Sequence, residues 1–207
     1  MPVTAPTRRA SILGAFAAFA AAVMPARSDT APVASIQQLT DGLLQIMKAG
    51  PATPFSTRFD MLAPLIDRIF DLDVVLRTSV GSAWASLPPS QRDLLRPVFR
   101  HYTIASYVNS FDHFNGQRFN VEPQTRPLGN DEQIVRTHII SSSGDGHDLD
   151  YVMRNTGNGW RAVDVLADGT ISRVAVQRSD FRRLLSRGGA PALAESLATK
   201  SLGLSDG

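Results

Sequence analysis

The feature that most constrains the fold is the segment His147–Ser172, with the sequence HDLDYVMRNTGNGWRAVDVLADGTIS. Apolar and polar residues alternate on both sides of Asn155–Gly159, a run rich in residues that accept positive φ angles. A period of two places the apolar side chains of a strand on one face. The segment therefore predicts a β-hairpin with one apolar face. Because two strands alone are marginally stable, other elements have to cover that face.

Helical patterns before the hairpin can provide this cover. Apolar residues recur at helical spacing over residues 33–49, where Gly50-Pro51 ends the pattern, and over residues 57–69. A third short segment follows, and Asp71 or Asp73 can cap it by accepting a bond from a free backbone N–H group. These segments predict three amphipathic helices at the N-terminal side of the sheet.

The longest predicted helix begins at Ser90, an N-cap candidate, and contains Pro97, which is expected to kink it. After the hairpin the chain returns to helix. Ser179 can cap the next segment, Gly188–Gly189 is expected to break it, and a short helix is predicted over residues 191–198. Helices therefore lie on both sides of the hairpin along the chain.

Two further strands are predicted over residues 118–122 and 133–142, joined to each other and to the hairpin by short turns. The fold class that follows is α+β, with a twisted antiparallel sheet of about four strands packed against an N-terminal helical half and a C-terminal helix. The hydrophobic content of 43% fits one globular domain, predicted to span residues 27–207.

Residues 1–26 have the order of an export signal. Arg8-Arg9 precedes an acid-free, alanine-rich run from Ala10 to Val23, and small residues around Ala26 mark the expected cleavage site. The apolar run is short for a membrane span. A general and a twin-arginine route both remain open. The pattern predicts a mature protein in the periplasm of a bacterium.

Charge and cysteine content exclude several classes of protein. The chain has 21 Lys and Arg against 19 Asp and Glu, and removal of Arg8 and Arg9 with the signal leaves a formally neutral protein. Its arginines are scattered among acids, which argues against nucleic-acid binding. Because the chain has no cysteine, disulfides and thiolate metal sites are excluded. We expect no metal and no cofactor, since the four histidines lack metal-ligand spacing, and we expect a monomer.

Three stretches carry a resemblance to a known family: FDLDVVLRTSVGSAWASL (70–87), PSQRDLLRPVFRHYTIASYVNSFDHFNGQRF (89–119) and the hairpin with its GWRAVDV core (159–165). They resemble the MlaC or toluene-tolerance family, and most of all its hopanoid-biosynthesis-associated branch, HpnM. The resemblance implies a periplasmic lipid carrier that works with an inner-membrane ABC transporter or another membrane lipid-transfer complex. It implies an α+β fold with phospholipid or hopanoid hydrocarbon between sheet and helices, and no chemistry.

The apolar residues of both halves predict the walls of that pocket. The candidate lipid-binding residues are Phe70, Val74, Trp84, Leu95, Phe99, Tyr102, Val135, Ile139, Leu149, Tyr151, Met153, Val163 and Val165. If a cleft lies between the layers, a larger ring at Val163 or Met153 is expected to enter it and displace lipid, whereas in a filled core the same ring would overpack.

Two other functions fit the same residues. The first is an enzyme on the same scaffold, with Asp164 or His138 as a base acting on a hydrophobic substrate. A structural role is favoured for Asp164, because no nucleophile or second base accompanies it. The second is an adaptor for an ABC permease, with a filled core and no pocket. Asp164 and Trp160 have the same parity, so they face the same side unless a bulge intervenes.

Overall fold

The computed structural model describes residues 1–2, 31–129 and 131–205. The predicted export signal lies, apart from residues 1–2, outside the described residues. The helices are α1 Ala31–Ala49, α2 Phe55–Ile69, α3 Leu72–Val80, α4 Ala83–Ser86, α5 Pro89–Ser110 and α6 Arg173–Ser205. The strands are β1 Arg118–Val121, β2 Arg126–Pro127, β3 Glu132–Val135, β4 Thr137–Ile140, β5 Gly146–Asn155, β6 Trp160–Ala167 and β7 Ile171–Ser172.

The α+β class and the central hairpin are confirmed, because β5 and β6 pair antiparallel around the turn at 156–159. The estimate of about four strands is too low, since the sheet has seven strands in the described part of the chain. Two of the extra strands arise from interruptions. β3 and β4 both pair with β5 in one continuous register. On their other side, β2 pairs with β3 and β1 pairs with β4. The underlying arrangement is the predicted antiparallel meander, extended by the short strand β7 on β6.

The break between β3 and β4 lies where an aspartate of β5 contacts the backbone. The backbone N–H of Thr137 donates to the Oδ1 atom of Asp150 at 3.3 Å, so a side chain takes the place of a strand partner there. Asp150 is buried, and this burial raises the pKa of its carboxyl group. The single predicted strand 133–142 is therefore divided at Arg136.

A bulge in β6 decides which way its residues face. Val152 pairs with Asp164 but Met153 pairs with Ala162, so Val163 is the extra residue. As a result Trp160 and Ala162 share the helix-covered face of the sheet, whereas Asp164 lies opposite Val152. The bulge interrupts the parity that would have placed both residues on one face, and Asp164 borders the cavity beside the start of α6.

The helix starts differ from the predicted ones at two places, in α5 and α6. Asp71 caps α3 as predicted, accepting from the Val74 N–H at 3.0 Å. The prediction of Ser90 as an N-cap is wrong, because α5 begins at Pro89, where a missing N–H costs nothing. The prediction of Ser179 as a cap is also wrong, since α6 begins six residues earlier; the predicted break at Gly188–Gly189 is confirmed as a kink, with Gly189 at φ 65°.

Buried side chains form two main clusters and one small one. The first cluster joins α1, α2 and the C-terminal half of α5 to the inner face of the sheet, and the second joins α3, α4, the N-terminal half of α5 and α6. The small cluster of Ile134, Val152 and Val163 lies on the other face of the sheet. The two main clusters meet along α5, and the space between them holds the candidate site.

Candidate functional site

An apolar cavity of about 290 Å³ lies between α5, the inner face of the sheet and the start of α6. This volume is at the lower end of the range of ligand cavities in proteins. From α3, α5 and the residues that directly follow α2 and α5, it is lined by Phe70, Leu72, Val75, Phe99, Tyr102, Thr103, Ser106, Tyr107, Ser110 and Phe111. From the sheet and α6 it is lined by Ile139, Leu149, Asp164, Val165, Ala167, Arg173, Val174 and Gln177. Ser110 and Arg173 are exposed and mark its mouth.

The structure brings some of the predicted lipid-binding residues to this cavity and places others elsewhere. Those that line it are Phe70, Phe99, Tyr102, Ile139, Leu149 and Val165. Val135, Tyr151 and Met153 lie in the first core cluster, Trp84 and Leu95 in the second, and Val74 and Val163 at the small cluster on the other face of the sheet.

Met153 and Val163, the two positions at which the sequence suggested a tryptophan, do not border the cavity. Met153 is completely buried in the closed core, and Val163 belongs to the small cluster on the other sheet face. A tryptophan at either position would therefore meet packed atoms rather than the cavity. Leu149 has the same strand and face as Met153 and does line the cavity, so it is the position to enlarge.

Several lining residues were missed at the level of sequence. Ser106, Tyr107 and Phe111 continue the face of α5 that begins with Phe99 and Tyr102. Their spacing of three and four residues is the periodicity of one helix face. This signal was present in the sequence, but the apolar residues of α5 cover more than one face, and only the position of the sheet shows which face borders the cavity.

Aromatic rings form one continuous wall of the site. Phe70 packs against Tyr107 with ring centroids 5.6 Å apart and against Tyr151 at 6.3 Å, both edge to face. Tyr107 stacks on Phe111 at 6.0 Å, and Phe111 contacts Phe119 at 5.9 Å. Each such pair adds about 0.5–1.5 kcal/mol beyond area burial. The rings of Phe70, Tyr107 and Phe111 therefore form one connected apolar surface along the cavity.

The hydroxyl groups of Tyr107 and Tyr151 are removed from solvent. Burial raises the pKa of both Tyr107 and Tyr151. The Tyr151 hydroxyl is buried and makes no hydrogen bond of good geometry to any described residue. The Tyr107 hydroxyl is nevertheless close enough to raise the pKa of Tyr151 further. The positive charge of Arg173 lowers the pKa of Tyr107, opposing the effect of burial. Both tyrosines remain neutral, and Tyr107 presents mainly apolar surface to the cavity.

Asp164, the acidic residue of the lining, is engaged in backbone and hydroxyl contacts. Its Oδ1 atom accepts from the N–H groups of Val165 at 2.7 Å and Val174 at 3.1 Å, and its Oδ2 atom accepts from the Ser172 hydroxyl at 2.5 Å. Ser172 in turn accepts from the N–H of Ala175. Asp164 and Ser172 therefore satisfy free N–H groups at the start of α6, a stabilising position for a negative charge.

His138, the other residue considered as a base, lies outside the cavity lining. Its neighbour Ile139 lines the cavity, and alternation along β4 turns His138 to the opposite face, where it contacts Asp148 and Glu122. The hydrogen bond with Asp148 raises the pKa of His138, and Glu122 adds to this effect. The residue is placed to stabilise the outer face of the sheet.

We expect His138→Gln to reduce stability most at low pH. Because the folded-state pKa is raised above the ordinary value of about 6.5, the contribution of His138 is fully present below that pH and is lost as the pH rises through the folded pKa. Urea unfolding of the wild type and the variant across the pH range measures this difference. His147→Gln is the control, since its side chain is 82% exposed; a difference for His138→Gln that does not change with pH would contradict the assignment.

A second, wider cleft of about 640 Å³ adjoins the first cavity, and charged residues contribute to its lining. Arg100 and Asp67 form a pair of hydrogen bonds across it, and Arg96 contacts Asp73 at 2.6 Å. Phe70 lines both this cleft and the apolar cavity, so it forms part of the wall that separates them. The charged side chains of the cleft are largely paired with one another, which gives it a structural rather than a ligand-binding character.

The fold and the cavity define a class: an α+β protein with an apolar cavity, open at one mouth, between its helices and one antiparallel sheet. Within that class, the chain belongs to the MlaC family, because the family described as MlaC protein matches residues 37–199. This confirms the resemblance at the level of the family. MlaC proteins are periplasmic. Among the described residues, none of the helices has the length and apolar character needed to cross a bilayer.

A solved structure from Ralstonia solanacearum has the same fold. It is described as a phospholipid-binding protein in complex with a phospholipid, at 1.53 Å resolution. The two chains align with a TM-score of 0.72 and 20% sequence identity, covering 84% of the present chain and 99% of the other. At this identity the likeness concerns the fold, and it confirms the mixed α+β architecture.

Proposed function

We propose that this protein is a periplasmic lipid carrier that shields hydrocarbon in the cavity beside α5 and performs no chemistry. The observation that carries the proposal is the cavity itself, enclosed between the aromatic wall of Phe70, Tyr107 and Phe111 and the apolar face of the sheet. Each CH₂ group removed from water contributes about 0.8 kcal/mol, so a long chain can bind without any charged contact. The phospholipid complex of the Ralstonia protein, which shares the fold, supports this function.

The other two functions are less well supported by the geometry. An enzyme needs an acid–base group facing the substrate, but the Asp164 carboxylate already accepts three hydrogen bonds and His138 lies on the other face of the sheet. A pocketless adaptor needs a filled core, whereas a cavity of about 290 Å³ separates the helices from the sheet.

The transport role follows from the same proposal. A carrier in the periplasm receives lipid from one membrane complex and delivers it to another, and the partner is an inner-membrane ABC transporter or a comparable lipid-transfer complex. The chain acts as a monomer after removal of residues 1–26. Similarity of the 70–87 and 89–119 stretches to the hopanoid-associated branch supports a hopanoid-linked role.

Purification of the protein from bacterial periplasm under native conditions tests the carrier function. We expect N-terminal sequencing to show a start near residue 27 and mass spectrometry to detect stoichiometric lipid with long hydrocarbon chains. Delipidated protein is expected to take up lipid again from vesicles. A protein that carries no lipid and acquires none would contradict the proposal, and a start at Met1 would contradict the export signal.

A further inference from the structure

Two side chains separate the apolar cavity from the second cleft. Phe70 and Leu72 line both spaces, and among the residues that the structure describes they are the only ones that do. The cavity measures about 290 Å³ and the cleft about 640 Å³. Because the two spaces adjoin, this partition limits the room that a hydrocarbon chain in the cavity can occupy.

The partition lies at the inner end of the cavity, away from the mouth. The mouth is at the end of the sheet where Leu149 pairs with Ala167 and Ala167 pairs with the exposed Ile171. Phe70 instead forms a bridge with Ala162, five residues back along β6 from Ala167. At about 3.3 Å per residue this is roughly 16 Å along the strand. A chain that enters at the mouth and follows β6 therefore reaches Phe70 last.

Contacts with β6 fix the backbone of Phe70. The N–H of Asp71 donates to the carbonyl oxygen of Ala162 at 3.0 Å, beside the bridge between Phe70 and Ala162. The Arg161 guanidinium group donates to the carbonyl oxygens of Asp67 at 2.6 Å and Phe70 at 3.0 Å. The short link between α2 and α3 is thus bound to the strand, and the sheet determines where the Phe70 ring lies.

Other aromatic rings hold the Phe70 ring in place. Phe70 is 4% exposed, and its ring packs edge to face against Tyr107 and Tyr151, with centroids 5.6 Å and 6.3 Å away. Tyr151 is completely buried in the first core cluster, so closely packed atoms support the ring from the sheet side. The end of a hydrocarbon chain that reaches Phe70 therefore meets a supported apolar wall.

We propose that Phe70 sets the length of hydrocarbon that the carrier accepts, because its ring closes the inner end of the cavity. This inference rests on the proposed carrier function and identifies a residue that determines its selectivity. Each CH₂ group that enters apolar space raises the affinity about fourfold. A CH₂ group added after the chain has reached the ring has no further apolar space to enter, so it adds nothing to the affinity.

A series of saturated fatty acids, from octanoate to hexadecanoate, tests this length limit. Delipidated protein is titrated with each acid by calorimetry, below its micellar concentration. We expect the affinity of the wild type to rise about fourfold per CH₂ up to a limiting length and then to level off. Phe70→Ala is expected to move the limit to longer chains, because Leu76 and Pro97 offer apolar surface in the cleft beyond the partition. Phe70→Leu, which retains more of the packing, is expected to move it by less.

Ile69→Ala is the matched control. Ile69 directly precedes Phe70 and is 1% exposed, but it lines neither the cavity nor the cleft. Its truncation is expected to lower the melting temperature and to leave the limiting length unchanged. The same limiting length in the wild type and in whichever Phe70 variants fold, or a wild-type affinity that never levels off, would overturn the role of Phe70 and leave the carrier function intact. Failure of the wild type to bind any acid of the series would contradict the carrier function, and the length limit with it.

Discussion

Leu149→Trp is expected to yield a folded protein that carries several-fold less co-purified lipid than the wild type. Leu149 lies on the inner face of β5 and lines the cavity together with Ile139 and Ala167. A larger ring at this position can enter space that a hydrocarbon chain would otherwise use. Because the ring meets a cavity and not packed atoms, we expect the melting temperatures of the lipid-free forms to differ by only a few degrees.

Met153→Trp is the matched control for this prediction. Met153 lies on the same strand and the same face as Leu149, but it is completely buried in the first core cluster. Overpacking there costs about 1–3 kcal/mol, which lowers the melting temperature of a domain of this size by roughly 2–4 °C for each kcal/mol.

The two measurements are lipid content by mass spectrometry and thermal unfolding by circular dichroism. Equal destabilisation by both substitutions, without any change in lipid content, would show that the space beside Leu149 does not hold cargo.

Asp164→Ala is expected to lower the free energy of unfolding by about 2–4 kcal/mol while leaving the fold intact. The substitution removes the acceptor for Val165, Ser172 and Val174 and uncaps α6, and bonds to a charged group and helix caps each contribute on the order of 1–3 kcal/mol. Asp164→Asn keeps one acceptor oxygen, so a smaller loss is expected. Denaturant unfolding followed by circular dichroism measures both effects.

Asp180→Ala provides the comparison on the same helix. Its carboxylate is partly exposed and pairs with Arg183 one turn away, and such surface pairs contribute about 0–1 kcal/mol. If Asp164→Ala were as stable as Asp180→Ala but lost a measurable turnover of a hydrophobic substrate, Asp164 would be a catalytic group and the enzyme interpretation would replace the carrier.

The sequence alone determined the features that depend on neighbouring residues. The β5–β6 hairpin follows from period-two alternation around a turn with positive φ angles at Gly157 and Gly159, and the kink of α6 follows from Gly188–Gly189. The Asp71 cap of α3 is similarly local. Each of these depends on backbone preferences within a few residues, and such preferences are encoded where they act. The family resemblance, carried by long stretches of the chain, was confirmed as well.

The tertiary structure alone decided which apolar residues face empty space. Leu149 and Met153 have the same character, strand and face, yet one lines the cavity and the other is in a closed core. The bulge at Val163, the division of the strand at Arg136 and the early start of α6 at Arg173 likewise depend on partners distant in sequence, such as Asp150 for Thr137 and Asp164 for Val174. Periodicity indicates that a side chain is shielded from water. It does not show whether that side chain packs against other side chains or borders a cavity, because both are shielded. Only the arrangement of helices around the sheet distinguishes them.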